Sequence, residues 1–464
     1  MSFELYEYKI EDLGKVITGK TPPSKISDAF SAQGIPFVTP KDMDGRRLID
    51  KTERYLSSQG VEAVRNCLLP QNSIAVSCIG SDMGKTVLLP GESITNQQIN
   101  AIVVDSEHFD YKYVYYYLST LQDDFKAIAG GSATPILNKG HFSQFKVSLP
   151  VKPVQNKIAL ILDSLDTKIE VNTEINHTLE QMAQALFKSW FVDFEPVKAK
   201  MAVLEAGGSQ EDATLAAMTV ISGKDSDALV VFEREHPEQY AELKATAELF
   251  PSAMQDSELG EIPEGWSIKP LDGIATYQNG LALQKFRPEN ENDFLPVVKI
   301  AQLKKGFSDG EEKASPNIKP ECIIDNGDVV FSWSGSLMVD IWCGGKAALN
   351  QHLFKVSSTK YPKWLYYKYT AHHLIEFQRI AEAKAVTMGH IKREHLSQAK
   401  CLMPSSETVH AFTPFFEPVL NKVISNRLET RKLENIRDTL LPKLLSGEIT
   451  LPEAEQAVSE VENV

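Results

Sequence analysis

The chain has 464 residues, 42% of them hydrophobic and 24% charged, with a formal net charge of −14. The length points to roughly two to four domains, the balance is that of an ordinary soluble protein, and no run approaches the ~20 apolar residues that a membrane span needs. The five cysteines are scattered and none forms a C-x2-C pair, which fits a reducing cytoplasm and gives no reason to expect structural zinc.

In chain order, MSFELYEYKIED carries early acidic residues and no apolar core, so a secretory signal is not expected. Residues 1–152 read as a β-rich unit. Short runs such as Ile35–Thr39, Ser73–Ile79 and Ile99–Val104 are punctuated by Gly, Pro and Asn/Asp. Residues 153–194 read as a helical segment that starts at Pro153 and runs to about Phe191. At about 1.5 Å per residue it would span nearly 60 Å. Residues 195–262 form an acidic linker with a helix expected around Glu233–Leu249. Residues 263–404 are a second β-rich unit, with Val329–Trp333 as one of its strands. A second helical segment, 405–447, follows, and Pro414 and Pro418 place the start of its long helix near themselves. Residues 448–464 are an acidic tail.

The negative charge is concentrated. Residues 195–262 hold 14 Asp/Glu against 5 Lys/Arg, and 448–464 hold five Glu and no Lys or Arg, so these two segments carry the whole excess. Residues 263–404 are slightly basic, with 18 Lys/Arg against 15 Asp/Glu. Such a charge pattern is compatible with DNA binding without showing it.

The two β-rich units and the two helical segments are one unit used twice. SQFKVSLP (143–150) matches SQAKCLMP (397–404) at an offset of 254, and the same offset aligns Asn96-Gln97 with Asn350-Gln351. Slightly shifted offsets align IPFVTPKDM (35–43) with LPVVKIAQL (295–303), and SIAVSCIGS (73–81) with DVVFSWSGS (328–336). The helices carry matching heptad seams. The first runs Ile158, Leu162, Leu165, Ile169, Asn172, Asn176, Leu179, Ala183, Leu186, Trp190. The second runs Phe412, Phe416, Val419, Val423, Asn426, Thr430, Leu433, Arg437, Leu440, Leu444. The polar interruption falls at the same two places in both, and it is either a buried, register-fixing contact or a stretch of exposed surface. The linker is long enough for parallel or antiparallel pairing. The expected fold is α+β: two β-rich α/β domains, a pseudo-twofold internal repeat, and long helices pairing as an antiparallel coiled coil.

Enzyme motifs are weak. GSDMGKT (80–86) has one residue too few between its glycines for a phosphate-binding loop, and VLLPG follows where a helix should begin. A strand–loop–strand turn is the expected reading. There is no N-P-P-[FY] motif for adenine methylation, and Glu382-Ala-Lys384 is too short a pattern to mark a nuclease. The histidine pairs 372–373 and 390 with 395 lack the carboxylate–cysteine framework of a metal site. The tyrosine-rich stretches 111–118 and 361–369 occur in both halves, which favours packing over base stacking.

NTEINHTLEQMAQALFKSWFVDFEPVKAKM (172–201), SELGEIPEGW (257–266) and LETRKLENIRDTLLPKLLSGEI (428–449) together resemble blocks of the specificity subunits of type I restriction–modification systems. The resemblance covers essentially the whole chain, although the acidic insert at 202–250 is longer than usual. It implies a non-catalytic subunit with two target-recognition domains, each reading one half of a bipartite, asymmetric site in double-stranded DNA. It implies docking of two methyltransferase subunits on the helices, and then of motor–nuclease subunits. S-adenosylmethionine, ATP and magnesium would belong to those partners, with no cofactor or metal in this chain. The expected DNA contacts are polar loop residues that differ between the copies. In the first they are Lys41, Arg46, Arg47, Ser81, Lys85, Thr134, Asn138 and Lys139. In the second they are Gln302, Lys304, Lys305, Ser334, Ser336, Thr387, His390, Lys392 and Arg393.

Overall fold

The structure is a computed structural model that describes residues 3–129, 136–383 and 389–462, with side chains as far as 459. The chain divides into two units, Met1–Val171 with Thr430–Val464, and Asn172–Glu429.

In the first unit an antiparallel sheet takes the order Gly14–Thr18, Ile99–Val104, Ser73–Ser77, Thr86–Leu89. Its central strand, SIAVS, is buried at every position. The reason is the period of two: successive side chains face opposite sides, and both sides are covered. Ile74 and Val76 pack with Ile102, Tyr113 and the long-helix residues Ile158 and Leu162. Ala75 packs on the other side with Phe37, Val38, Leu56 and Ile94 of a smaller sheet. In that sheet the order is Phe30–Ser31, Arg54–Leu56, Ile35–Val38, Ile94–Thr95, and the last pair is parallel.

The second unit repeats this plan. Thr276–Asn279, Leu353–Ser357, Val329–Ser332 and Met338–Ile341 form the antiparallel sheet. Lys313–Ala314, Leu295–Val298, Ala347–Leu349 and Ile323–Ile324 form the smaller one, again with one parallel pair, Leu295–Val298 with Ala347–Leu349. Val329 and Phe331 face one core and Val330 the other. Each unit also has a two-stranded closure, Tyr6–Lys9 with Lys146–Leu149 and Ser267–Pro270 with Lys400–Met403. The second strand of each closure leads directly into a long helix.

Those helices are Lys152–Phe191 and Ser406–Ser446. The second does not wait for its prolines. Pro414 and Pro418 lie on the exposed side of the helix, as does His410, and the helix continues through them although the carbonyls of His410 and Pro414 lose their N–H partners. The helices pair antiparallel. In the second unit, as the residue number rises from Asn176 to Trp190, the neighbour's falls from Asn426 to Phe412; Asn426 Nδ2 donates to Asn176 Oδ1 at 2.9 Å, and the Trp190 and Phe412 rings lie 4.7 Å apart. In the first unit Leu165 is buried with Leu433 and Leu440, and Ile169 packs against the same core. Of the seam residues, Leu179, Leu186 and Val419 are half-buried, while Asn172, Val423 and Asn426 are buried. The polar interruption is thus interior: Asn176 Nδ2 donates to Val423 O (3.2 Å) and Asn172 Nδ2 to Glu429 Oε2 (2.9 Å).

Where one linker helix is expected around Glu233–Leu249, the structure has two, Ser226–Glu235 and Pro237–Glu248, divided at His236 because Pro237 opens the next helix. Helices Glu195–Glu205 and Gln210–Ser222 precede them. Ala217, Met218, Leu229, Leu243 and Ala247 give this insert a small core of its own. The acidic tail also folds in part. Leu451–Glu462 is a helix whose Ala454 is fully buried in the first unit's core. Among the described residues, no helix is long and apolar enough to cross a membrane.

Candidate nucleic-acid interface

Both units build the same junction of loops. In the first, strand Ile94–Thr95 runs on into Asn96-Gln97-Gln98. Asn96 N donates to Val38 O (3.0 Å), and Asn96 Oδ1 accepts from Gln98 N (3.0 Å), closing a side-chain turn. Lys20 N donates to Thr95 O (2.9 Å) and pulls the loop after Gly14–Thr18 across this turn. The crossing requires glycine, since a Cβ on Gly19 would sit 2.2 Å from Asn96 O. Leu137 N donates to Cys78 O (2.9 Å), which lays the segment 136–139 beside the end of the central strand.

The second unit reproduces these bonds one for one. Asn350 N donates to Val298 O (3.0 Å), Asn350 Oδ1 accepts from His352 N (3.2 Å), Leu281 N donates to Leu349 O (2.9 Å), and Ile391 N donates to Trp333 O (3.0 Å). Gly280 repeats the crossing, with a Cβ there 2.1 Å from Leu349 O.

The side chains around the junction differ. In the first unit Lys41, Arg46, Ser81, Asn138 and Lys139 are exposed. Lys85 pairs with Asp82 (2.8 Å) and donates to Met43 O (3.4 Å), so the 43–47 loop and the 80–85 turn share a cleft of about 350 Å³. Arg46 pairs with Asp44 (3.0 Å) and Asp50 (3.4 Å). Asn138 caps the helix Lys139–Gln144 by accepting from His141 N (2.9 Å). In the second unit Lys304 Nζ donates to Ser336 Oγ (2.8 Å), and Lys305 is exposed. Gln302 Oε1 accepts from Lys299 N (3.2 Å), closing the first turn of helix Ile300–Lys305. His390 and Lys392 are exposed, and the His390 ring lies 6.4 Å from Trp333. Arg393 stacks over Phe354 at 5.3 Å and donates to Tyr277 O (3.1 Å). Thr134 and Thr387 lie outside the described residues.

Two expected contacts are spoken for elsewhere. Arg47 is held by Asp163 (2.6 Å), Glu170 (2.8 Å) and the Tyr116 hydroxyl (3.2 Å), so its guanidinium ties the 43–47 loop to the long helix. Burial alone would raise the Asp163 carboxyl, but hydrogen bonds from Lys112 and Arg47 outweigh it and hold it below the usual carboxylate range. Ser334 is buried, with Oγ 3.0 Å from His352 Nδ1, and its role is to fix that ring.

The enzyme-like motifs resolve as structure. Ser77 N donates to Lys85 O (2.9 Å), Gly84 N to Ser77 O (2.8 Å), and strand Thr86–Leu89 follows a single 3-10 turn at Gly80–Asp82, so GSDMGKT is a strand–loop–strand turn in which a strand stands where a phosphate-binding loop would start an α-helix. His373 Nε2 donates to Lys400 O (3.0 Å), and His395 Nδ1 accepts from Lys392 N (2.9 Å). The tyrosine stretches are packing: Tyr113 and Tyr116 are buried in the first unit's core, Tyr366 and Tyr369 in the second's.

Residues 4–181 and 263–436 each match the family described as the type I restriction modification DNA specificity domain. The chain belongs to this family. It is similar to the HindI specificity subunit of Haemophilus influenzae, with 32% identity over 66% of this chain and 70% of that one. It is also similar to the MjaIX specificity subunit of Methanocaldococcus jannaschii, with 26% identity over 96% and 93% of the two chains. In fold it resembles the crystal structure of the S subunit of the type I restriction–modification system from M. genitalium, with a TM-score of 0.52 over 96% of each chain and 13% identity. The chain is accordingly a type I specificity subunit with two recognition domains and long antiparallel helices.

The junctions of this specificity subunit also hold residues that loop chemistry alone does not pick out. In the second domain a cleft of about 510 Å³ is lined by Gln284, Lys299, Asn350, Gln351 and His352. Trp333 closes against it, its Nε1 donating to Gln351 O (3.3 Å) and its ring 5.6 Å from His352. The available signal was the repeated Asn-Gln pair, which marks the turn in both copies.

Proposed function

We propose that this subunit selects the DNA sequence on which a type I restriction–modification complex acts, with each recognition domain reading one half of a bipartite, asymmetric site. The observation that carries this reading is the duplicated junction: the backbone hydrogen bonds are the same in both domains, and most of the exposed side chains on them differ. A shared frame with Lys41, Ser81, Lys85, Asn138 and Lys139 in one copy and Gln302, Lys304, Lys305, Ser336, His390, Lys392 and Arg393 in the other is what two different half-sites call for. Cationic side chains suit phosphates and guanine edges, and carboxamides suit adenine.

In this proposal the long helices set the spacing between half-sites and dock two methyltransferase subunits. Exposed apolar residues at helical spacing support docking: Leu160 and Val171 lie about three turns apart in the first unit, and Ile175 and Met182 about two turns apart in the second. Motor–nuclease subunits complete the assembly, which works on DNA in the cytoplasm. The chain itself performs no chemistry; S-adenosylmethionine sits on the methyltransferase, and ATP and magnesium on the motor. The domain limits proposed are 1–152 and 263–404 for recognition, and 153–194 and 405–447 for the helices.

The test is to co-express the chain with its methyltransferase partner and map methylated bases across the genome by long-read sequencing. A two-part motif is expected. Replacing residues 1–150 with those of a relative should change one half of that motif and leave the other intact, and a change in both halves would contradict the modular reading.

A further inference from the structure

Asn96-Gln97 and Asn350-Gln351 place the same dipeptide on the same turn of both domains. The asparagines are explained by architecture, since both are buried and both close the turn through their side-chain oxygens. The glutamines are not. The backbone of Gln351 is engaged through its N–H to Leu281 O and its carbonyl from Trp333 Nε1, which any residue type could supply. Its side chain borders the open cleft beside Gln284 and Lys299, with Nε2 3.4 Å from His352 Nε2. Gln97 is exposed, and Thr21 Oγ1 donates to its Oε1 at 2.7 Å.

Two domains that read different sequences retain a common surface side chain for one of two reasons. Either it packs, or it meets something that both half-sites contain. Packing does not account for an exposed Gln97. A carboxamide offers an acceptor and a donor side by side, and Oε1 keeps a second lone pair after accepting from Thr21. In the major groove the complementary edge, one donor beside one acceptor on a single base, is adenine N6 and N7. Guanine presents two acceptors, cytosine a donor, and thymine an acceptor with a methyl group. The turn is also stiff enough to hold such a contact, being fixed by the asparagine side chain and the glycine crossing of the neighbouring loop.

Resting on the proposed reading of the two domains, we infer that Gln97 and Gln351 are equivalent base-reading residues, each contacting an adenine that occurs in both half-sites. Gln97 serves the first domain's half-site and Gln351 the second's.

The experiment maps methylated motifs in cells carrying the full chain with its methyltransferase partner, as wild type, Gln97→Ala, Gln351→Ala and Gln351→Glu. The wild type is expected to show at least one adenine in each half-site. Gln351→Ala should relax one adenine position in one half-site, with about tenfold or greater loss of discrimination. Gln97→Ala should do the same in the other half-site only. Gln351→Glu keeps size but offers only acceptors, so preference at the relaxed position should shift toward cytosine, whose N4 donates. That directional change is not one a partly unfolded variant can produce. Unchanged motifs in methylating variants, or both half-sites relaxed by one substitution, overturn the assignment while leaving the two-domain reading in place. A wild-type complex without a bipartite motif overturns both.

Discussion

Arg437 Nη1 lies 2.7 Å from Asp166 Oδ1, and Arg47 Nη1 approaches the other oxygen of the same carboxylate at 4.0 Å. Asp166 is 5% exposed and also accepts from the Tyr116 hydroxyl at 2.6 Å. Within the first unit, therefore, one buried carboxylate joins the 43–47 loop, the first long helix and the second long helix.

This arrangement separates stability from DNA affinity. Arg47→Ala leaves Asp163, Asp166 and Glu170 short of a cation and should cost about 3 kcal/mol, lowering the urea midpoint of the first unit. Measured where the variant is still folded, DNA affinity of the methyltransferase complex should be unchanged. Lys85→Ala should do the reverse, with stability altered by less than about 0.5 kcal/mol and DNA binding weakened most at low salt. An Arg47 variant of normal stability and weakened DNA binding would return that residue to the interface.

The buried pair Asn176–Asn426 gives a second test. Asn426→Leu leaves the buried Asn176 Oδ1 without its donor, while Nδ2 keeps Val423 O, and should destabilise by about 1–3 kcal/mol. Replacing both by leucine removes the need for a partner, so the double variant should be at least as stable as the single one. It should also lose the constraint that fixes register. Equilibrium denaturation of the two variants decides the matter, and a double variant whose losses simply add would show that the pair is not a unit.

His373 predicts a pH dependence. Burial, followed by the neighbouring His372, lowers its pKa to about 4 from an ordinary value of 6.5. The folded state thus binds its proton less readily than the unfolded state. The stability this neutral imidazole confers is complete above about pH 6.5 and is lost as the pH falls through about 4. The loss should be about 1.4 kcal/mol per pH unit across that window. His373→Gln can still donate to Lys400 O and does not titrate, so the difference between pH 7 and pH 5 should shrink in that variant. Denaturant melts at the two pH values measure it.

The helices can be tested as a ruler. Antiparallel pairing within the second unit sets the 176–179 stretch against 423–426, as the Asn176–Asn426 bond shows. A heptad inserted after Asn176 must be matched by one between Val423 and Asn426 to keep the seam in phase. Each insertion lengthens its helix by about 10 Å, or about three base pairs of DNA at 3.4 Å per pair. The expected result is a methylated motif with a longer spacer and both half-sites intact. Four-residue insertions rotate the seam and should weaken assembly. An active heptad variant with an unchanged spacer would show that another element sets the distance.

The sequence alone determined the duplication, the β-rich and helical alternation, and the seam, because each rests on periodicity. A short β-type run such as SIAVS and a period of seven from Ile158 to Trp190 are local signals that hold whichever partner covers the faces. The turn reading of GSDMGKT was legible for the same local reason. Only the tertiary structure decided what individual polar residues do. Arg47 and Arg46 are neighbours of the same type, yet Arg46 is exposed and Arg47 is tied to carboxylates more than 100 positions away. Ser334 and Ser336 differ likewise, one buried against His352 and the other on the surface with Lys304. Pro414 and Pro418 read as a helix start, but the helix runs through them with both on its exposed side, and solvent exposure is a property of the packed molecule. A side chain's electrostatic role is set by which distant groups the fold brings within about 4 Å, and no local spacing encodes that.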